Sequence, residues 1–294
     1  MKFDELIKEA NKILSEYSMP LTLRQLYYRL VSKTLIPNTK SSYKGLSAQL
    51  VKAREDGLVD DSKIEDRSRK VQGYGDYGYE SIEDFVEAQL YRWKEAWSNF
   101  SMPMWNDQEN YVIIALEKDA LSRLFVDIAT DYRVKVFATR GYSSYTFVKT
   151  IAKDLDPSKK NVILYFGDYD PSGRDIQRDL GERATRYGSE GAEFVIRRIA
   201  LTPEQIDLYK LPPVPEDAET LAKLSRDPRS KTYGMNFAVE LDAIEPDALQ
   251  KLIRDAIISQ IDADKWNDRK ALIDEKREEV RKKFQNLKID FGED

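Results

Sequence analysis

Apolar positions recur at helical spacing from the start of the chain. Phe3, Leu6, Ile7, Ala10, Ile13 and Leu14 fall on one face of residues 3–17, the spacing that lets a helix bury one side. Pro20 closes that stretch. Thr22 is a good N-cap, and Gln25 three residues on completes a capping box, so a second helix is predicted to begin there. Its apolar stripe is Leu23, Leu26, Tyr27, Leu30 and Val31. A third helix is predicted from Ser41 or Ser42 to about Glu55, with Gly57 as its stop. Residues 58–71 are short, polar and mixed, and are expected to form a small hairpin. Three short helices and a hairpin suggest a winged-helix DNA-binding module over residues 1–72.

The Gly/Tyr-rich stretch 73–81 reads as a linker, and a helix is predicted from about Ile82 to Trp97, so residues 73–109 form a linker and helix. The pattern then changes to apolar, β-branched runs at 111–116, 134–138, 162–166 and 193–201, separated by segments of helical composition at 119–131, 143–154 and 173–187. Strand and helix in alternation predict an α/β domain over residues 110–200, with a parallel sheet covered on both faces. Residues 202–235 read as irregular and carry the sequence LPPVP at 211–215. Helices are predicted again from about Glu245 to Ile261 and from Trp266 to Leu287, giving residues 201–294 the character of a helical extension of the sheet domain. Trp266, Ile273, Val280 and Leu287 fall seven apart, a stripe too short for a coiled coil and better suited to packing within the domain.

Composition narrows the chemistry. The 294 residues include no cysteine and no histidine. Disulfides, thiolate nucleophiles, Ser-His-Asp triads and Cys/His zinc sites are therefore excluded. A metal site would have to use carboxylates and water, which favours Mg²⁺, with Mn²⁺ as the alternative. No apolar run approaches the ~20 residues that span a bilayer, so no membrane partner is expected. The charged, amphipathic start is unlike a signal peptide, which points to a cytoplasmic, nucleoid-associated protein.

The net charge is −5, which by itself argues against a polyanionic partner. Its distribution argues the other way. No acidic residue lies between Glu16 and Glu55, and residues 21–54 hold Arg24, Arg29, Lys33, Lys40, Lys44, Lys52 and Arg54. A purely basic stretch on an acidic body suits local binding of double-stranded DNA.

Each strand end of the alternating region carries something polar. Glu117 follows the first run, Arg140 and Gly141 the second, and Asp168 and Asp170 the third. Ligands of open α/β sheets sit beyond the carboxyl ends of the strands, so Glu117, Asp168 and Asp170 are expected to converge. Three carboxylates together repel one another unless protonated or neutralised, and a divalent cation removes that cost. The same stretch partly matches an EF-hand loop, but a strand precedes it and Asp175 stands where an apolar residue belongs. A phosphatase-type aspartyl nucleophile usually follows the first strand, which this motif does not. One of the two aspartates can also simply cap the next helix.

Tyr27 lies within the stripe of the second helix, whereas Tyr28 is ~100° further round. Arg24 is four residues before Tyr28 and neighbours it on the helix surface. The spacing nominates Tyr27 for packing and Tyr28 for nucleophilic attack on phosphorus, with Arg24 steadying the phenolate or the phosphate. The residues alone leave it equally open that Tyr28 is an ordinary surface tyrosine.

These residues together resemble a known family. R-x-x-Y-Y on a winged helix, then E, R-G-Y and D-x-D-P-x-G, resemble the A subunit of topoisomerase VI and the related meiotic double-strand-break transesterase, whose later motifs form a Toprim domain. The resemblance spans roughly residues 20–185. It implies Tyr28 as the nucleophile linked to the 5′ end of DNA, Arg24 as its partner, and Glu117, Asp168 and Asp170 as Mg²⁺ ligands. Arg29, Lys33, Lys40, Lys44, Lys52, Arg54 and Arg140 are the candidate DNA contacts. The chain looks most like the short stand-alone members called Mini-A, and like phage and plasmid Toprim proteins with W-x-x-Q (Trp105 to Gln108), E-K-D-A-L (Glu117 to Leu121), L-P-P (Leu211 to Pro213) and E-L-D-A (Glu240 to Ala243). The family acts as a homodimer in which one protomer's tyrosine meets the other's metal, and its A subunits work with a B-type ATPase. Two alternatives stand beside this expectation: a hydrolytic Toprim nuclease, and a non-catalytic DNA-binding protein with a vestigial metal site.

Overall fold

The apolar stripe at the start of the chain forms α1 (Phe3–Glu16), which buries Leu6, Ile7, Ala10, Ile13 and Leu14. β1 (Leu21–Thr22) leads directly into α2 (Leu23–Ser32). The expected capping box is present: the Thr22 hydroxyl accepts from the Gln25 N–H, and the Gln25 side chain accepts from the Thr22 N–H at 3.0 Å. α3 (Lys40–Glu55) follows, N-capped by Thr39, and stops at Gly57 with φ +69°. β2 (Ile64–Glu65) then pairs with β1 in parallel. The expected hairpin over 58–71 lies from residue 66 onward outside the described residues. A parallel pair needs a long crossover rather than a tight turn, and here α2 and α3 provide it.

The computed structural model describes residues 2–65, 78–139, 141–187, 192–214, 222 and 224–286. They group into two compact units, one from Met1–Arg69 with Asn110–Gln260 and the other from Lys70–Glu109 with Ile261–Asp294. α4 (Ile82–Glu95) belongs to the second unit.

In the first unit, β3 (Asn110–Leu116), β4 (Lys135–Ala138), β5 (Lys160–Phe166) and β6 (Phe194–Ala200) form one all-parallel sheet in the order β4-β3-β5-β6. The connections are α5 (Ser122–Asp131), α6 (Tyr145–Asp154) and α7 (Pro171–Tyr187). Both faces of the sheet are covered, which is why its strands read as continuous apolar runs. Ile113, Ala115, Ile163 and Tyr165 pack with Val148 and Ile151 of α6 and Ile176 and Leu180 of α7. Phe125 of α5 meets Phe166 edge-on, with ring centroids 4.8 Å apart. The strand order reverses between β3 and β5, and such a switch point opens a crevice at the carboxyl ends.

Residues 202–235, expected to be irregular, contain α8 (Pro203–Tyr209) and α9 (Pro228–Tyr233). Each has proline in its first turn behind a capping residue, Thr202 or Asp227, an entry suited to short helices. A single turn at Leu241–Ala243 precedes α10 (Pro246–Ile258).

α11 (Ala263–Asn286) lies in the second unit with residues 70–109 rather than extending the sheet. Within that unit Trp105 packs edge-on against Trp266 at 5.4 Å, and Trp93 meets Phe284 at 5.3 Å. Gln108 donates to the Asp262 carbonyl at 3.1 Å and accepts from the Asp262 N–H at 2.8 Å. The W-x-x-Q pattern is thus used to fasten this unit together. Of the seven-residue stripe, Trp266 and Ile273 are buried, while Leu287 lies outside the described residues. Among the described residues no helix is long and apolar enough to cross a membrane.

Candidate functional site

β3 and β5 run in register, with Leu116 opposite Phe166. That register sets the residues after each strand side by side. The Glu117 N–H donates to the Phe166 carbonyl at 2.9 Å, and Glu117 Oε2 accepts from the Asp168 N–H at 3.1 Å and from the Tyr165 hydroxyl at 3.3 Å. Two glycines leave room for this carboxylate. A Cβ on Gly167 would run into Glu117 Oε2 and the Tyr165 ring, and one on Gly173 would lie 2.9 Å from Glu117 Oε2 and 2.5 Å from the Asp168 carbonyl oxygen. Asp170 Oδ1 accepts from the Gly173 N–H at 2.5 Å, so Asp170 caps α7 as well as facing the crevice. Pro171 onward is helix, so no calcium loop forms over 168–179.

The acids strain against one another. Burial first, then the charges of Asp168 and Asp170, pushes the Glu117 carboxyl up to about 7. Burial likewise pushes Asp168 up to about 6, against the pull of Lys118. A site that resists its own ionisation in this way suits a bound cation.

The structure joins Lys118 of E-K-D-A-L to Glu240 and Asp242 of E-L-D-A, three residues whose sequence carries no signal of a shared role. The Lys118 ammonium contacts Asp242, Glu240 at 3.3 Å and Asp168 at 3.7 Å. Burial works against its charge, but Asp242, Asp168 and Glu240 together hold it above the usual lysine range. Every residue of the strip 240–243 fastens something. Glu240 pairs with Arg24, and the Leu241 N–H donates to Asp168 Oδ1 at 2.7 Å. Asp242 accepts from the Thr22 hydroxyl at 3.5 Å, and the Ala243 carbonyl accepts from Arg29 at 2.5 Å. The strip thus ties α2 to the carboxyl edge of the sheet. The antiparallel bridge of Val239 to Tyr169 fixes its start against the acidic loop.

This strip changes the reading of α2. Residues 25–30 are all buried, because α1 and α3 cover one side and the strip covers the other. Tyr28, expected on the surface, is only 1% exposed. Burial, and after it the nearby Glu240 carboxylate, pushes its phenol well above the ordinary tyrosine range, with Arg24 pulling the other way. Tyr28 still borders a cavity of about 410 Å³, whose lining includes Arg24, Lys40, Tyr43, Asp170 and Glu240. Tyr27 shares that lining, but its hydroxyl donates to Asn38 Oδ1 at 2.9 Å while the Asn38 amide donates to the Pro213 carbonyl at 2.6 Å. L-P-P therefore clamps the α2–α3 turn. The Arg24 guanidinium lies 5.2 Å from the Tyr43 ring centroid, and both also border a second cavity of about 540 Å³.

The basic stretch is less free than its sequence implies. Arg29 is buried against Ala243 and cannot serve as a DNA contact, because the strip covers it. Lys33 pairs with Glu16 at 2.7 Å and Arg54 with Asp61 at 2.5 Å, acids supplied from just outside the basic window. Lys40, Lys44 and Lys52 are exposed on α3, with Lys52 above the Phe3 ring. Arg140 lies outside the described residues.

As the side chains lie, no three acids among the described residues form a ready ligand cage. Mg²⁺ does not need one, since it is commonly held by one or two carboxylates with water and phosphate filling the rest. The hard-oxygen donors of Glu117, Asp168 and Asp170, the space left by Gly167 and Gly173, and the mutual repulsion fit such an ion. Comparison of the chain with known protein families and with curated proteins finds no match.

Proposed function

We propose that the chain cuts double-stranded DNA by transesterification, as the Toprim and winged-helix resemblance implies. In this reading Tyr28 is the nucleophile, Arg24 anchors the phosphate, and Glu117, Asp168 and Asp170 hold Mg²⁺ or Mn²⁺. The observation that carries the reading is that Tyr28, Arg24 and Asp170 border one cavity of a single chain. With this geometry the tyrosine and Asp170 need not come from different protomers. A homodimer would instead supply two such sites, one for each strand.

The Tyr28 oxygen attacks phosphorus, the bond from phosphorus to the 3′ sugar oxygen breaks, and that oxygen leaves with a proton. The 5′ phosphate stays on the phenol. A bound divalent ion would stabilise charge on the phosphate and on the leaving oxygen. Arg24 spends its charge on Glu240 in the structure, so phosphate binding exchanges one anionic partner for another. Arg24 already pulls the Tyr28 phenol down against burial and the Glu240 charge, so its guanidinium is the group on hand to favour the phenolate.

The burial of Tyr28 favours a second reading, in which a metal-activated water hydrolyses the phosphodiester and the tyrosine only shapes the cavity. One experiment separates the two. Supercoiled plasmid is incubated with the protein and Mg²⁺ or Mn²⁺, and products are resolved with and without protease. Transesterification predicts DNA ends that carry protein, lost in Tyr28→Phe and in Asp168→Ala. Protein-free ends that persist in Tyr28→Phe would establish hydrolysis instead.

A further inference from the structure

Lys118 occupies a place where a cation is required. Its ammonium sits among Asp168, Glu240 and Asp242, whose side chains are 19%, 18% and 1% exposed. Carboxylates this buried stay ionised together only with positive charge between them. Asp168 belongs to two groups at once. Its backbone N–H donates to Glu117 Oε2 at 3.1 Å, while its Oδ2 lies 3.7 Å from the Lys118 ammonium that also meets Glu240 and Asp242. Asp168, Glu240 and Asp242 thus surround a single ammonium at the spot where a second divalent ion, beside the one at Glu117, Asp168 and Asp170, would need its carboxylates to close in. That spot is already filled by a charge that the chain itself supplies. Lys118 directly follows Glu117, so the strand that delivers one metal-binding acid also delivers this ammonium.

We propose that the Lys118 ammonium takes the place of a second divalent ion, so that the crevice loads one ion rather than two. The inference rests on the metal reading of Glu117, Asp168 and Asp170. Lys118 acts here as a positioning residue: it holds Asp168 and Glu240 in place through charge and touches no reacting atom. Unlike a metal ion, it is tethered, cannot be chelated away and offsets one of the three charges around it when divalent ions are scarce.

The test counts Mn²⁺ bound per full-length chain, without DNA, by isothermal titration and by the paramagnetic resonance signal of unbound Mn²⁺. The variants are Lys118→Met, which keeps the stem and removes the charge, and Lys118→Arg, which keeps the charge. Lys118→Met is expected to bind one more ion than the parent, and Lys118→Arg the same number as the parent. An unchanged count in Lys118→Met, or a gained ion in Lys118→Arg, overturns the proposal. Should Lys118→Met fold only with metal present, it is refolded in Mn²⁺, freed of excess, and its bound manganese measured by atomic emission against the same expectation. Failure of the metal reading is a separate result: the parent would bind no ion, whatever the difference between parent and variant.

Discussion

Asp168 accepts a hydrogen bond from the backbone N–H of Leu241 at 2.7 Å, joining the end of β5 to the strip that holds α2. The bond gives Asp168 a structural duty beside any duty towards a metal. Asp168→Ala should leave that buried N–H without its acceptor and Lys118 with one partner fewer, at a cost of about 1–3 kcal/mol. Equilibrium urea unfolding measures this, and a midpoint identical to the parent's would contradict the role assigned to the bond.

Gly173→Ala tests the space around Glu117. The added methyl would lie 2.9 Å from Glu117 Oε2 and 2.5 Å from the Asp168 carbonyl, so the carboxylate must shift. The expected outcome is a folded protein destabilised by about 1–3 kcal/mol, with Mn²⁺ affinity reduced at least tenfold by titration calorimetry. Gly181→Ala, whose Cβ would meet only the Ile196 Cδ1 at 3.4 Å, is the matched control and should bind as the parent does.

Stability should fall with rising pH when metal is withheld. The Glu117 carboxyl is raised from 4.5 to about 7 and that of Asp168 from 3.8 to about 6. The folded chain therefore keeps protons that the unfolded chain has already lost, and stability declines as pH climbs from about 4 to 7. A bound divalent ion removes the penalty on ionisation. Melting temperatures in EDTA should drop between pH 5 and pH 8, and saturating Mg²⁺ should flatten that drop. Parallel curves with and without Mg²⁺ would show that these carboxyls do not meet the ion.

The positive residues should divide by exposure rather than by sequence. Lys40→Gln and Lys44→Gln should each weaken duplex binding and reduce the slope of log affinity against log salt by about one. Arg29→Met, buried beneath Ala243, should destabilise the fold and leave the salt slope of the folded fraction unchanged. Fluorescence anisotropy at several salt concentrations reads both, and equal slopes for parent and lysine variants would remove α3 from the interface.

Much of the architecture was legible because it is local. Thr22 and Gln25 announce α2, Gly57 ends α3, and the apolar runs give the parallel sheet within a residue or two at most strand ends. Glu117 and Asp168 were also legible as neighbours, since strand ends converge in any parallel sheet. The surroundings of Tyr28 were not. A helical stripe reports one buried side, and nothing in residues 22–30 indicates that a strip more than two hundred positions later covers the other. The same distance hides the partners of the basic stretch, because Glu16, Asp61 and Glu240 all lie outside it. Lys118 read as one lysine among many until three acids were seen around it. The parallel pairing of Leu21–Thr22 with Ile64–Glu65 was hidden too, since two residues carry no periodicity.

Gln108 meets Asp262 as a neighbouring peptide would, giving and receiving one bond each. A shortened chain that stopped at Gln260 would retain every residue of the sheet-bearing unit while leaving this amide and the Trp105 ring exposed to water. Such a truncation would be sticky for a reason remote from the crevice, and its behaviour in solution would say nothing about the acids or the tyrosine.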